Sequence, residues 1–79
     1  MTLPAQLRAA RQLAGLSQGD VAARAGLSLP TVKRAESDLD VSVSAQAIAS
    51  IRAVLEGAGV IFIDENGEGP GVRLRKGKP

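Results

Sequence analysis

The stretch SQGDVAARAGLSLPTVKRAE, residues 17–36, constrains this chain more than any other. Ser17 and Ser28 stand where two short helices would begin. A serine hydroxyl at that position accepts a backbone N–H that the helix itself leaves unpaired. Asp20 follows Ser17 in the position of a capping box. Gly26 is placed to stop the first helix, because glycine adopts a left-handed backbone without steric cost. The joint between the helices is only Gly26-Leu27-Ser28. Helices joined so tightly cross steeply and need small side chains at the crossing, and Ala22, Ala23 and Ala25 supply them. Val21, Leu27 and Val32 then close a small core. This is helix-turn-helix logic: the second helix offers its front end to the DNA major groove while the first lies across the backbone. Pro30 is compatible with it, since the first turn of a helix has no use for the missing N–H.

The flanking sequence completes a small domain. Thr2 is placed to cap a first helix with Pro4 in its first turn. Leu3, Leu7, Ala10 and Ala14 recur at helical spacing, Leu13 widens the stripe, and Gly15 ends it. Ser28 opens a helix running through roughly Ser37, and DLDVSV reads as a loop. Ser44 opens a fourth helix with Ala47, Ile48, Ile51, Val54, Leu55 and Ala58 facing inward. The period then changes. VIFID (60–64) and GVRLRK (71–76) flank ENGEGP, which is turn chemistry, so the spacing predicts a hairpin whose register the long turn leaves open. The expected class is mainly α: four helices and a C-terminal β-hairpin. No internal repeat or domain boundary is visible, and GKP at 77–79 reads as a flexible basic tail.

Composition removes several classes of function. There is no cysteine and no histidine, so the thiolate, the commonest metal ligand and the usual general base are all missing. Asp, Glu and Ser are scattered without convergent spacing, so neither an enzyme, a metal site nor a cofactor is expected. Phe62 is the one aromatic residue, and a single ring makes no stacking platform for single-stranded nucleic acid. No apolar run reaches the ~20 residues of a membrane span, and MTLPAQLRAA lacks the pattern of a secretion signal. These absences fit a reducing cytoplasm. Charge is unevenly placed. Arg8, Arg11, Arg24, Lys33 and Arg34 outnumber Asp20 and Glu36 in residues 1–37, and residues 38–70 hold six acids against Arg52 alone. Arg73, Arg75, Lys76 and Lys78 make the end basic. This is either ordinary surface charge or two basic ends facing a polyanion.

Residues 3–58 resemble the Cro/phage-repressor-type helix-turn-helix family, also called XRE. The family pattern LR…R…GLSQ…LA…G-S…T-(I/V)-x-R-x-E reads here as LRAARQLAGLSQGDVAARAGLSLPTVKRAE. The resemblance covers about two-thirds of the chain. It implies a repressor-like helix-turn-helix domain over residues 1–58, with the motif at 17–36, followed by the hairpin at 59–76. It also implies site residues. Gln18 matches a glutamine that bonds a DNA phosphate and braces the recognition helix. Arg11 and Glu36 match a half-buried ion pair tying the first helix to the end of the third. Ser28, Leu29, Pro30, Lys33 and Arg34 fall at groove-contacting positions, and Thr31 where a hydroxyl meets phosphate. Arg8 and Arg24 are further phosphate candidates.

Each residue also has a plainer reading. Gln18 can be a solvated helix start, Leu29 and Pro30 exposed apolar residues, and Lys33 and Arg34 a solvated face. In a groove, Leu29 and Pro30 would pack on thymine methyls, and the planar fork of Arg34 would match guanine O6 and N7. Two departures stand out. Gly19 lies inside the second helix, where it costs up to ~1 kcal/mol relative to alanine, and Ser37-Asp38 replaces a glycine often found after the glutamate. The hairpin stands where the family commonly has a fifth helix. Val60, Ile61, Phe62, Ile63, Val72 and Leu74 are therefore expected to cover the fourth helix, to pair with a second copy, or both. The basic end at 73–78 either reaches DNA or solubilises the chain. The resulting expectation is a sequence-specific regulator of double-stranded DNA, a repressor, working as a homodimer on a palindromic site. The rival is a toxin-neutralising or adaptor protein that uses residues 38–70 on a protein partner.

Overall fold

A computed structural model describes residues 2–39 and 41–76. The expected tail at 77–79 lies outside them. Four helices, α1 (Pro4–Ala14), α2 (Gln18–Ala25), α3 (Leu29–Ala35) and α4 (Ala45–Gly57), precede strands β1 (Val60–Ile63) and β2 (Gly71–Leu74). The architecture is the expected mainly helical one with a C-terminal hairpin.

The helix ends follow from local chemistry. Ser17, Ser28 and Ser44 each accept an N–H from the first turn of the helix they precede. Ser17 and Asp20 form a reciprocal box, with Asp20 accepting the Ser17 N–H at 2.9 Å. Gly15 and Gly26 adopt left-handed backbones at φ 72° and 69°. The residue after each bonds back into the helix, Leu16 N–H to Arg11 O and Leu27 N–H to Ala22 O, which consumes carbonyls the helix ends would leave open.

Two helix boundaries differ from expectation. Leu3, not Thr2, precedes the first turn of α1, because Pro4 takes the first position and Gln6 accepts the Leu3 N–H at 2.9 Å. The Thr2 hydroxyl instead accepts from Arg52. At the other end of the motif, α3 stops at Ala35 rather than near Ser37. Glu36 caps it, and Ser37 N–H tightens back onto Arg34 O.

The core is one cluster. Leu7, Val21, Val32, Ile51, Leu55 and Val60 are fully buried, with Ala10, Ala22, Ala35 and Phe62 beside them. Burial of each large aliphatic side chain contributes roughly 1.5–3 kcal/mol. Leu3 and Leu13, expected in the stripe of α1, are exposed; Leu3 lies outside the helix and Leu13 on its rim.

The two strands pair antiparallel, Val60 with Leu74 through Ile63 with Gly71, and the hairpin rests on α1 and α4. Regular pairing stops at Ile63 and Leu74, short of the expected Asp64 and Lys76. Val60 and Phe62 point into the core, and Val72 packs against it. Of the two expected roles, covering the helices is the one these side chains fill: alternation along β1 leaves Ile61 and Ile63 on its outer face, and Leu74 sits exposed at the rim.

Candidate functional site

Helix α3 is seven residues long, about 10 Å at 1.5 Å per residue. Val32 and Ala35 bury one side of it. Spacing puts Leu29, Pro30, Lys33 and Arg34 on the opposite side, where all four are exposed. Ser28 is also exposed at the front end. A chain of short contacts runs along this face. The Ser28 hydroxyl accepts the Thr31 N–H and bonds the Thr31 hydroxyl at 2.9 Å. Thr31 Oγ1 in turn accepts from Arg34 Nη2 at 3.3 Å. The guanidinium of Arg34 is thereby drawn along the helix toward its leading end.

The C-terminal end of α3 is fastened to α1 and α2 through Glu36, which is buried. Its carboxylate accepts from Arg11 Nε at 2.8 Å, from Arg11 Nη2 at 3.1 Å and from Gln18 Nε2 at 3.1 Å. Arg11 has a further bond to Leu16 O, which ties the same side chain to the turn between α1 and α2. Gln18 thus braces α3 directly, with its amide turned to Glu36.

Arg8 sits in the same assembly. Its Nη1 donates to the carbonyl of Glu36 and pairs with Asp38 at 3.0 Å. Arg8, one of the further phosphate candidates in the sequence, here closes the end of α3. A cation there also favours the helix dipole. Asp38, two residues after Glu36, supplies the carboxylate that holds Arg8.

The remaining cations are differently placed. Among the described residues, ion pairs are confined to Arg8–Asp38, Arg11–Glu36 and Arg52–Glu56. Arg24, Lys33 and Arg34 form no ion pair among the described residues and are exposed on α2 and α3. Asp20, in the first turn of α2, is consumed by its own cap: the backbone N–H of Ser17, then the Ser17 hydroxyl, hold its carboxyl below the ordinary value. Arg24 adds a weaker electrostatic pull on the same carboxyl, and the α2–α3 surface, with Arg24, Lys33 and Arg34 against Asp20, is net positive.

Two residues of structural weight escaped the sequence reading. Gln6 is 95% buried (5% exposed) and donates to Ile63 O at 3.3 Å and Gly71 O at 3.1 Å. It clamps the hairpin to α1. Its spacing between Leu3 and Ala10 was the available signal. Arg52 lies 4.7 Å from the centre of the Phe62 ring, an attraction between a cation and the face of the ring.

A cleft of about 300 Å³ lies between the α2–α3 turn and the start of α4. Ala25, Gly26, Leu27, Ser44, Gln46, Ala47 and Ser50 line it, so no titratable side chain faces it. No helix among the described residues is long and apolar enough to cross a membrane.

Comparison with protein families matches residues 3–59 to the model of a helix-turn-helix domain. A search of curated proteins found no match. The matched span contains α1 to α4 and ends where the hairpin begins.

Proposed function

The chain belongs to the helix-turn-helix domain family, and from that premise we propose that it is a sequence-specific regulator of double-stranded DNA of the Cro-like, XRE type. The observation that carries this reading is the division of labour on α3. One end is locked by Glu36, Arg11, Gln18 and Arg8, while the other presents Leu29, Pro30, Lys33 and Arg34 to solvent. A helix used only for packing needs no exposed apolar front end beside unpaired cations.

In this reading α3 enters the major groove. Arg34, aligned by Thr31, donates to guanine O6 and N7, and Leu29 and Pro30 pack on thymine methyls. Lys33 reads guanine or holds phosphate. Ser28 lies close enough to the groove to bond a base edge, and Arg24 adds a phosphate contact from α2. Thr31 would reach phosphate as a hydroxyl donor while its oxygen still accepts from Arg34. A helix this short reads few base pairs, so the protein acts as a homodimer on a palindromic site. In this reading occupancy of the site is itself the regulatory act, which is repression. It works in the cytoplasm and without catalysis.

Selection from randomised duplexes, followed by binding titrations at several salt concentrations, tests this. A palindromic site should emerge, and log K should fall linearly with log salt, by about 0.9 for each phosphate contacted. Arg34→Ala should relax one base position and cost ~1–3 kcal/mol. Binding with no preference over random duplex refutes the reading. Capture of an unrelated protein through residues 38–70, without duplex preference, favours the toxin-neutralising or adaptor alternative.

A further inference from the structure

We propose that Thr31 sets which base pair Arg34 reads: its hydroxyl, fastened by Ser28, holds the guanidinium toward the leading end of α3. The proposal rests on the DNA-binding reading above and deepens it, from a helix that reads bases to the residue that fixes where its arginine reads.

The position follows from helix geometry. Residues three and four apart are neighbours on a helix surface, and long side chains lean back over the preceding turn. For Lys33 that turn offers the side chains of Leu29 and Pro30, and neither has an acceptor. For Arg34 it offers Pro30 and Thr31. Of the two adjacent cations, Arg34 is therefore the one that leans over a side-chain oxygen, and its Nη2 donates to Thr31 Oγ1 at 3.3 Å.

That oxygen is itself held. Thr31 is half-buried, and its β-branch makes χ1 stiff. Its hydroxyl lies 2.9 Å from that of Ser28, and its N–H donates to Ser28 Oγ at 3.3 Å. The acceptor thus stands at a fixed point on the helix. Behind Arg34 the nearest described carboxylates are engaged. Glu36 takes its donors from Arg11 and Gln18, and Asp38 pairs with Arg8. Neither is open to draw the guanidinium toward the C-terminal end of α3.

The consequence for reading is a matter of length. Thr31 and Arg34 are about 4.5 Å apart along the helix axis, and successive base pairs are about 3.4 Å apart. A guanidinium held at the level of Thr31 and one left beside its own turn therefore meet different base pairs. The bond to Thr31 occupies a single N–H of the fork, so two-pronged contact with guanine O6 and N7 is kept.

Two measurements on the full chain test this, with circular dichroism and the thermal midpoint as folding controls. The first needs no DNA. Heteronuclear relaxation of the Arg34 Nε–H group should show an ordered side chain in the wild type and in Thr31→Ser, which keeps the hydroxyl. In Thr31→Val, which keeps the shape, the side chain should be released. The second is selection from randomised duplexes, in which Arg34→Ala first identifies the base pair that Arg34 reads. Thr31→Val should lower or shift the preference at that pair about three- to tenfold and leave the other positions unchanged, and Thr31→Ser should retain it. In an Arg34→Ala background Thr31→Val should alter no position, because Thr31 acts through Arg34. A hydroxyl that only holds phosphate weakens all duplexes alike. Equal order of Arg34 in wild type and Thr31→Val, a Thr31→Val preference identical to that of wild type, uniform weakening alone, or a change that persists without Arg34 overturns the proposal. A wild type that prefers no duplex overturns the DNA-binding reading, and with it any base pair for Thr31 to select; the relaxation result, taken without DNA, tells the two failures apart.

Discussion

Glu36→Gln is the substitution through which the structure makes its firmest energetic claim. It keeps the shape of the side chain and removes one charge. In the native chain the Glu36 side chain is 3% exposed and that of Arg11 17% exposed, and the carboxylate takes three donors, two from Arg11 and one from Gln18. Removing one member of a buried pair costs ~3–5 kcal/mol, because the other charge is left uncompensated. Arg11 keeps some water and its bond to Leu16 O, which lowers the figure. Gln18 Nε2 then faces another amide and raises it again. The expected loss is about 2–4 kcal/mol. A chain of 79 residues has about 4–12 kcal/mol in total, so this single change removes a large share. The chain lacks tryptophan and tyrosine, so urea unfolding is best followed by circular dichroism. With m near the low end for small proteins, the midpoint should fall by more than about 1 M. Arg11→Met with Glu36→Leu should cost less than the two single changes together, with a coupling of at least ~1.5 kcal/mol. A loss under ~1 kcal/mol for Glu36→Gln, or additivity within ~0.5 kcal/mol in the cycle, refutes the argument that Glu36 is the hub.

Gln6→Leu should cost ~1–3 kcal/mol by leaving the Leu3 N–H without its partner and removing the clamp on the Ile63 and Gly71 carbonyls; amide exchange in β2 should accelerate while α2 and α3 stay protected. Gly26→Ala and Gly19→Ala should act in opposite directions. A Cβ at Gly26 meets nothing within 4 Å but sits at φ 69°, so the loss is conformational, ~1–2 kcal/mol. At Gly19 the nearest atom is Ser17 Oγ at 3.7 Å, so alanine gains up to ~1 kcal/mol; thermal midpoints read both. Because the folded chain holds the Asp20 carboxyl below its ordinary value, its contribution is complete above the unfolded-state value and is lost as pH falls through the folded one. Asp20→Asn should therefore be less stable than wild type at neutral pH, with the gap narrowing on acidification in urea titrations.

What was legible in the sequence was what local chemistry decides. Ser17, Ser28, Ser44, Gly15 and Gly26 mark helix ends through bonds to neighbours a few residues away, so their types and spacing were enough. The working face of α3 was reached through family resemblance, and the helical period agrees with it. What lay beyond reach was contact across sequence distance. Arg8 and Glu36 are 28 residues apart, and nothing near either one says that the cation closes the helix. Gln6 was visible as a polar residue on a buried face, but its acceptors, Ile63 and Gly71, depend on where the hairpin docks. The hairpin register depended on the geometry of the turn at 64–70, where Glu65 accepts the N–H groups of Gly67 and Gly69. The Arg11–Glu36 pair was reached through family resemblance, because residue types alone do not identify partners.

The uneven charge of the sequence acquires a sharper meaning once the pairs are known. Residues 1–37 look basic throughout, yet Arg8 and Arg11 are held by Asp38 and Glu36. Their charge is spent on positioning α3. Subtracting them leaves Arg24, Lys33 and Arg34, all exposed on the α2–α3 surface, so the net positive field is concentrated there. The second basic group, Arg73, Arg75 and Lys76, belongs to a hairpin docked on α1 and α4, and its matching acids lie on the same hairpin. Screening by salt reaches both sets because both are exposed. Under the proposed DNA-binding reading, raising ionic strength should weaken binding through Arg24, Lys33 and Arg34. Arg73→Ala with Arg75→Ala then separates the two expectations for the basic end: a salt slope lower by about 0.9 for each cation lost means that it reaches phosphate, and an unchanged slope that it does not.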